Sequence, residues 1–318
     1  MIIAKRQLFF TALIFNPLCM PKKILAIYYS QSGQLKEMVD NVCGPLIQNG
    51  HTVEKIRVAL KNDFPFPWTS KQFFSVMPDC VLGVPAEVEP FTLNEQSYDL
   101  IVLGYQAWFL SPSIPFNSLM QVPSFTQVLR NAPVITITGA RNMWVTAFGK
   151  VKAMLQQCSA NHVGSIAMVD RHLNLVSIFT IFHWMLHGKK DRYLGFFPKP
   201  GVAEYDIART KQFGEIALPY LEKNEWSGLK DELIQHKAIV PKFHLLFMES
   251  KASMMFGIWA KHIAKSKKRN RLLVAFKYYL LIALFIFAPI VFIIDLLIFK
   301  PFLPRYVKAK KDACLNLN

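Results

Sequence analysis

The 318-residue chain has no C-x-x-C pair, no Walker A sequence and no G-x-G-x-x-G. Its five cysteines, Cys19, Cys43, Cys80, Cys158 and Cys314, are odd in number and far apart. This spacing argues against a disulfide framework and a zinc site, and it suits a reducing compartment. The missing glycine motifs leave no lysine-anchored triphosphate loop and no dinucleotide fingerprint. Acidic residues are scarce too: 21 Asp+Glu face 37 Lys+Arg, for a net charge of +16 and a pI near 9.6. Such a balance calls for an anionic partner, either nucleic acid or acidic lipid.

The position of the charge decides between them. One basic cluster is Lys261, Lys265, Lys267, Lys268, Arg269 and Arg271; a second is Lys300, Arg305, Lys308, Lys310 and Lys311. They bracket residues 272–299, LLVAFKYYLLIALFIFAPIVFIIDLLIF, which carry no charge between Tyr278 and Ile294. A run of that length with basic flanks reads as a membrane segment on anionic lipid, not as a nucleic-acid surface. Pro289 in its interior leaves two topologies open, a single span or a re-entrant hairpin. Upstream, Phe243, Leu246, Phe247, Met254 and Ile258 recur at roughly helical spacing among lysines. This suits an interfacial amphipathic helix or a helix packed on the globular part. Residues 1–19 resemble a signal peptide but lack a small-residue cleavage site. Translation is therefore expected to begin at Met20, with residues 1–20 an N-terminal extension.

Between these ends, apolar runs alternate with helical stretches. The runs are 23–30, 51–58, 98–105, 132–139 and 162–169; helices are expected over 34–48, 143–157 and 202–222. Nearly continuous Ile, Leu and Val in three of the runs fits parallel strands buried on both faces. The expectation is a five-stranded, doubly wound α/β sheet over 21–225, with ligands beyond the carboxyl ends of its strands. Residues 61–97, rich in Pro and aromatics, read as a flap with a short helix near 69–76. Residues 226–271 read as a basic, partly amphipathic segment and 300–318 as a basic tail.

Three loops carry the candidate chemistry. Ser30-Gln31-Ser32-Gly33-Gln34 opens a helix, and hydroxyls and N–H groups there make an anion site suited to a phosphomonoester. Gln106, Ala107, Trp108 and Phe109 follow the third strand and offer aromatic surface for a planar ligand. Gly139, Ala140, Arg141, Asn142 and Trp144 follow the fourth. After the fifth come Asp170 and His172, candidates for a general base, while Arg141 could stabilise an enolate. His183, in the apolar stretch 173–186, and His187, just after it, stand four apart without an evident third metal ligand. That stretch reads as a helix covering the site or touching the membrane.

On these residues the chain resembles the flavodoxin-like superfamily over about 21–222. Ser30, Ser32 and Gly33 match its phosphate loop, and Leu35 stands where a third hydroxyl is expected. The resemblance implies FMN, with the first loop on the phosphate and the other two beside the isoalloxazine ring. KILAIYYSQSGQL, the Phe-Pro-Trp of the flap, GARNMW and the hydrophobic tail further resemble the flavodoxin-like proteins of dialkylresorcinol biosynthesis, the "dialkylresorcinol condensing enzyme" family. No Cys begins a helix in a thiolase-like setting, so condensation itself is not expected. The resemblance implies instead a membrane-tethered flavoprotein on the cytoplasmic face of the cell membrane, aromatising a lipophilic dialkyl cyclohexanedione made by a separate ketosynthase. The alternatives are an NAD(P)H:quinone reductase of the same fold and a non-enzymatic electron carrier or flavin-free scaffold.

Overall fold

The structure, a computed structural model, describes residues 20–240, 245–287 and 290. The expected extension 1–19, Phe243, Pro289 and the basic tail lie outside the described residues, as does the distal part of the 272–299 segment. Five strands, β1 (Lys23–Tyr28), β2 (Thr52–Arg57), β3 (Leu100–Gly104), β4 (Pro133–Ala140) and β5 (Asn161–Val169), form one parallel sheet. Their spatial order is β2-β1-β3-β4-β5, the flavodoxin-like order, with its ligand crevice between β1 and β3 where the winding reverses.

Successive residues of β1 face opposite sides of the sheet, and from Ile24 to Tyr28 all of them are buried and apolar. Ile24, Ala26 and Tyr28 join one core and Leu25 and Ile27 the other, because helices cover both faces. On the first face lie α1 (Gln34–Gln48), α8 (Glu204–Ala208), α9 (Lys211–Lys223) and α10 (Leu229–Gln235). On the second lie α4 (Ile114–Leu119), α5 (Pro123–Leu129) and α6 (Val145–Gln157). Gly214 lets α9 cross α1 closely, since a Cβ there would stand 2.1 Å from the Val42 carbonyl oxygen.

The expected helix over 202–222 divides into α8 and α9. Thr210 Oγ1 donates to the Ile207 carbonyl at 2.6 Å and also reaches Met38 O at 3.3 Å, a side-chain competitor to helix hydrogen bonding. The helices α4 and α5, absent from the sequence expectation, each begin with a proline in the first turn, where its missing N–H costs nothing. The packed unit also continues past residue 225: Leu229 and Leu233 are core residues, and Ile239 bridges Ala167 in parallel.

The flap carries two six-residue helices. A Thr69/Gln72 capping box starts α2 (Ser70–Ser75), followed by α3 (Met77–Leu82). Both pack on α11 (Leu246–Lys265) and α12 (Arg269–Ile282), sharing a third core of Phe74, Met77, Phe256, Ala260, Ile263, Phe276 and Leu280. The helix α12 continues through a π-helical turn at Ala283–Phe287. Between sheet and flap lies α7 (Asn174–His187), at the place expected of the 173–186 stretch.

Candidate functional site

At the carboxyl end of β1, Gly33 adopts φ +85° as the N-cap of α1, and Ser32 and Gln34 on either side of this left-handed turn line the crevice at the helix N-terminus. Ser30 is buried, and its Oγ accepts from Lys36 N at 3.3 Å. Gln31 ties this loop to the flap: Nε2 donates to Pro65 O at 2.8 Å, and Oε1 accepts from Trp68 Nε1 at 3.0 Å. Gln34 Oε1 accepts from Val202 N at 3.0 Å. Leu35 packs in the core and also borders the cavity, so an aliphatic side chain stands where a third hydroxyl was expected.

Beyond β3, Ala107–Trp108 pairs antiparallel with Ser111–Pro112. Phe109 and Leu110, both at positive φ (47° and 59°), form the two-residue turn between them, as a type I′ geometry demands. Non-glycine residues resist this geometry, and ring packing holds it: Phe109 lies 4.8 Å from Phe73, and Trp108 lies 5.5 Å from Trp68 and 5.2 Å from Phe64. Gln106 Oε1 is buried and has no hydrogen-bond partner among the described residues.

The third loop divides in two. Gly139, Ala140 and Arg141 border the crevice. Asn142 Nδ2 turns to donate to His172 O at 3.2 Å. Trp144, expected beside a planar ligand, is instead a core residue, its ring tilted against that of Phe148 at 5.5 Å. The expected acid–base residues do converge. Asp170, 1% exposed, accepts from His172 N at 2.9 Å, His172 Nδ1 at 2.7 Å and Ser177 Oγ at 2.7 Å. That bond to Nδ1 leaves Nε2 as the basic nitrogen when His172 is neutral. Arg141 and Asp170 border the crevice; His172 stands behind Asp170, with 39% of its side chain exposed.

One charged residue escaped sequence reading. Glu249, from α11, is 1% exposed and accepts from Thr146 N at 2.5 Å at the start of α6, where a helix dipole favours a carboxylate. Burial nonetheless pushes its carboxyl up to about 7, against the Thr146 hydrogen bond and Arg141. Burial likewise brings the Arg141 guanidinium down to about 10, while Asp170 and Glu249 resist the shift. A lone Glu within HLLFMESKASMMF was the only sequence signal.

These shifts have a measurable sign. A carboxyl raised from its ordinary 4.5 to about 7 binds its proton more tightly when folded. Its stabilising contribution is full below pH 4.5 and is lost toward pH 7, by at most about 3 kcal/mol. His162, brought down to about 4 chiefly by burial, acts oppositely: its contribution is full above pH 6.5 and is lost as pH falls toward 4. Because the two slopes oppose each other, Glu249→Gln is expected to make stability rise more steeply between pH 4.5 and 6.5. Urea midpoints of both proteins across that range check this; parallel profiles would contradict it.

The three loops, flap and α7, α11 and α12 enclose a cavity of about 530 Å³, within the range of small-molecule sites. Its lining takes the polar side chains of Ser32, Gln34, Gln106, Arg141 and Asp170 from the sheet loops and Lys251 from α11, and the apolar ones of Ile178, Phe182, Met255, Leu280 and Leu284 from the helices. His183 and His187 lie outside it, stacked at 4.9 Å, with His183 Nε2 on Asp191 Oδ1 at 2.9 Å. No cluster of three metal-ligating side chains occurs among the described residues.

No family model and no curated protein matches the chain. Among solved structures, a flavoprotein in complex with FMN from Lactobacillus acidophilus NCFM is 20% identical with a TM-score of 0.34, over 46% of this chain and 92% of its own. Oxidised flavodoxin 1 from Bacillus cereus is 17% identical with a TM-score of 0.32, over 61% and 95%. A flavone reductase is 13% identical with a TM-score of 0.33, over 63% of each chain.

Proposed function

We propose that this chain is an FMN-dependent oxidoreductase that acts on a lipophilic small molecule at the cytoplasmic face of the cell membrane. The observation that carries the reading is the cavity lined jointly by the loops at the carboxyl edge of the sheet and by largely apolar residues of α7, α11 and α12. The residues fit the cofactor. The Ser32–Gly33 turn suits a phosphomonoester, and the unpartnered Gln106 Oε1 suits an N–H on the edge of a heteroaromatic ring. Gly139, Ala140, Ala107 and Trp108 would flank that ring. Bound FMN supplies an acceptor for a hydride.

The favoured substrate is a dialkyl cyclohexanedione, aromatised to a dialkylresorcinol by loss of one hydride and one proton. Asp170 takes the acidic proton lying between the two carbonyls. His172, hydrogen-bonded behind it and exposed at its far side, carries that proton to solvent. Arg141 stabilises the enolate oxygen. The apolar helix residues of the lining hold the alkyl chains, and a ketosynthase delivers the ring. Membrane attachment draws on the helix running Arg269–Phe287, long and apolar enough to cross, with only 17% of its apolar window buried.

The test is the visible spectrum of protein purified in mild detergent, followed by anaerobic addition of a dialkyl cyclohexanedione. Bound flavin bleached by the dione without NAD(P)H is the expected result. Flavin reduced by NAD(P)H, with quinone turnover and no response to the dione, would assign a quinone reductase. Flavin that turns over neither substrate would assign an electron carrier. A protein that cannot be loaded with FMN would overturn the flavin reading.

A further inference from the structure

We propose that the outer face of α7 and the turn that follows it form a second membrane-docking surface, seated on a bilayer containing anionic phospholipid. The proposal builds on the reading of a lipid-borne substrate and concerns a part of the chain that the C-terminal segment does not include. The sequence after α7 is GKKDRYLGFFPKP, residues 188–200. Leu194 and Gly195 both take positive φ, 52° and 77°, and the chain turns tightly with large apolar side chains left in solvent. Leu194 is 65% exposed, Phe196 70%, and Leu173 at the start of α7 77%.

This patch is continuous with the C-terminal helix. Phe196 meets Phe197 at 4.5 Å, Phe197 meets Phe179 of α7 at 6.0 Å, and Phe179 meets Phe285 at 4.8 Å. Phe287 is both 58% exposed and part of the cavity lining. The exposed apolar face therefore reaches the cavity lining at Phe287.

Charge selects the occupant. Lys189, Arg192 and Lys199 are exposed around the patch, and Lys190 lies over the Trp184 ring at 5.7 Å. The acidic groups facing them are engaged: Asp191 with His183 at 2.9 Å and Glu204 with Lys199 at 3.2 Å. Aromatic and aliphatic tips ringed by Lys and Arg are the composition of an interfacial anchor on anionic headgroups. A second copy of the chain would set these like charges against each other. Docked this way, the cavity opens into lipid between α7 and the C-terminal helix, and an alkylated substrate enters without crossing water.

The experiment uses the full-length protein carrying Phe196→Cys, reconstituted into vesicles of phosphatidylcholine with a quarter phosphatidylglycerol. A membrane-impermeant maleimide and peptide mass mapping read its labelling rate. Glu225→Cys, at an exposed position near the amino end of the sheet, serves as the control. The expected result is labelling at least about tenfold slower at position 196 than at 225. Protection should weaken in phosphatidylcholine alone and when Lys189→Ala and Arg192→Ala are added. Protein that floats with vesicles but labels equally at both positions would overturn the docking surface and leave the C-terminal anchor standing. Protein that does not float would overturn both. Protection without lipid that grows with protein concentration would assign the face to a second copy.

Discussion

Replacing Asp170 with alanine is expected to lower the unfolding free energy by roughly 3–5 kcal/mol, the range for removing one partner of a buried charged group. Asp170 is 1% exposed and accepts from the His172 backbone and ring and from Ser177. It is also the stronger of the two carboxylates that hold the buried Arg141 guanidinium protonated. Without it, Glu249 alone opposes the desolvation of Arg141, and that carboxyl is itself raised by burial. By contrast, removing an exposed pair such as Lys199–Glu204 is expected to change little. Urea denaturation measures both. An Asp170→Ala midpoint within error of the parent would mean that the buried network contributes nothing net. Asp170→Asn keeps the shape and separates the two roles: a folded protein whose dione oxidation falls about 10²–10⁴-fold assigns Asp170 as the base. Undiminished turnover in that variant would remove it from the mechanism.

Gly33→Val is expected to weaken FMN binding about 30-fold while leaving a folded protein. The turn holds φ at +85°, and no heavy atom lies within 4 Å of the position a Cβ would take. The penalty is therefore conformational and not a clash. A β-branched residue pays about 2 kcal/mol in the left-handed region, and every 1.4 kcal/mol is tenfold in affinity. The backbone relaxes by rotating the N–H groups of the loop away from the phosphate. Fluorescence titration with FMN gives the affinity, and a urea midpoint gives the fold. Unchanged affinity would place the phosphate elsewhere than at this loop.

The same arguments show where local pattern suffices. The alternation in KILAIY, the two-sided burial it implies and the helix over 34–48 follow from side-chain periodicity, which a strand or helix imposes residue by residue. The Ser30–Gln34 loop, the 106–109 loop and Asp170 with His172 lie at strand carboxyl ends for the same reason: chain order in a parallel sheet puts each such loop on one edge. Trp144 shows the boundary of that logic. It lies in the right loop, but its ring turns into the core against Phe148, a choice made by packing across α6. Leu35 has two neighbours at once, packing beside Gly104 in the core while bordering the cavity, and only the packed structure shows the first.

Sequence by itself thus determined the parallel α/β sheet, the loops at its carboxyl edge, and the basic, apolar character of the C-terminal region. Each depends on neighbours a few residues apart or on composition summed over a segment. Tertiary structure alone decided that α11 and α12 close the cavity over the flap, that Glu249 meets Arg141 and the start of α6, and that the turn at Leu194–Phe196 joins the C-terminal helix through Phe179. Those contacts join residues separated by about a hundred positions or more. They arise from which apolar faces find each other in space, and no periodicity along the chain records that.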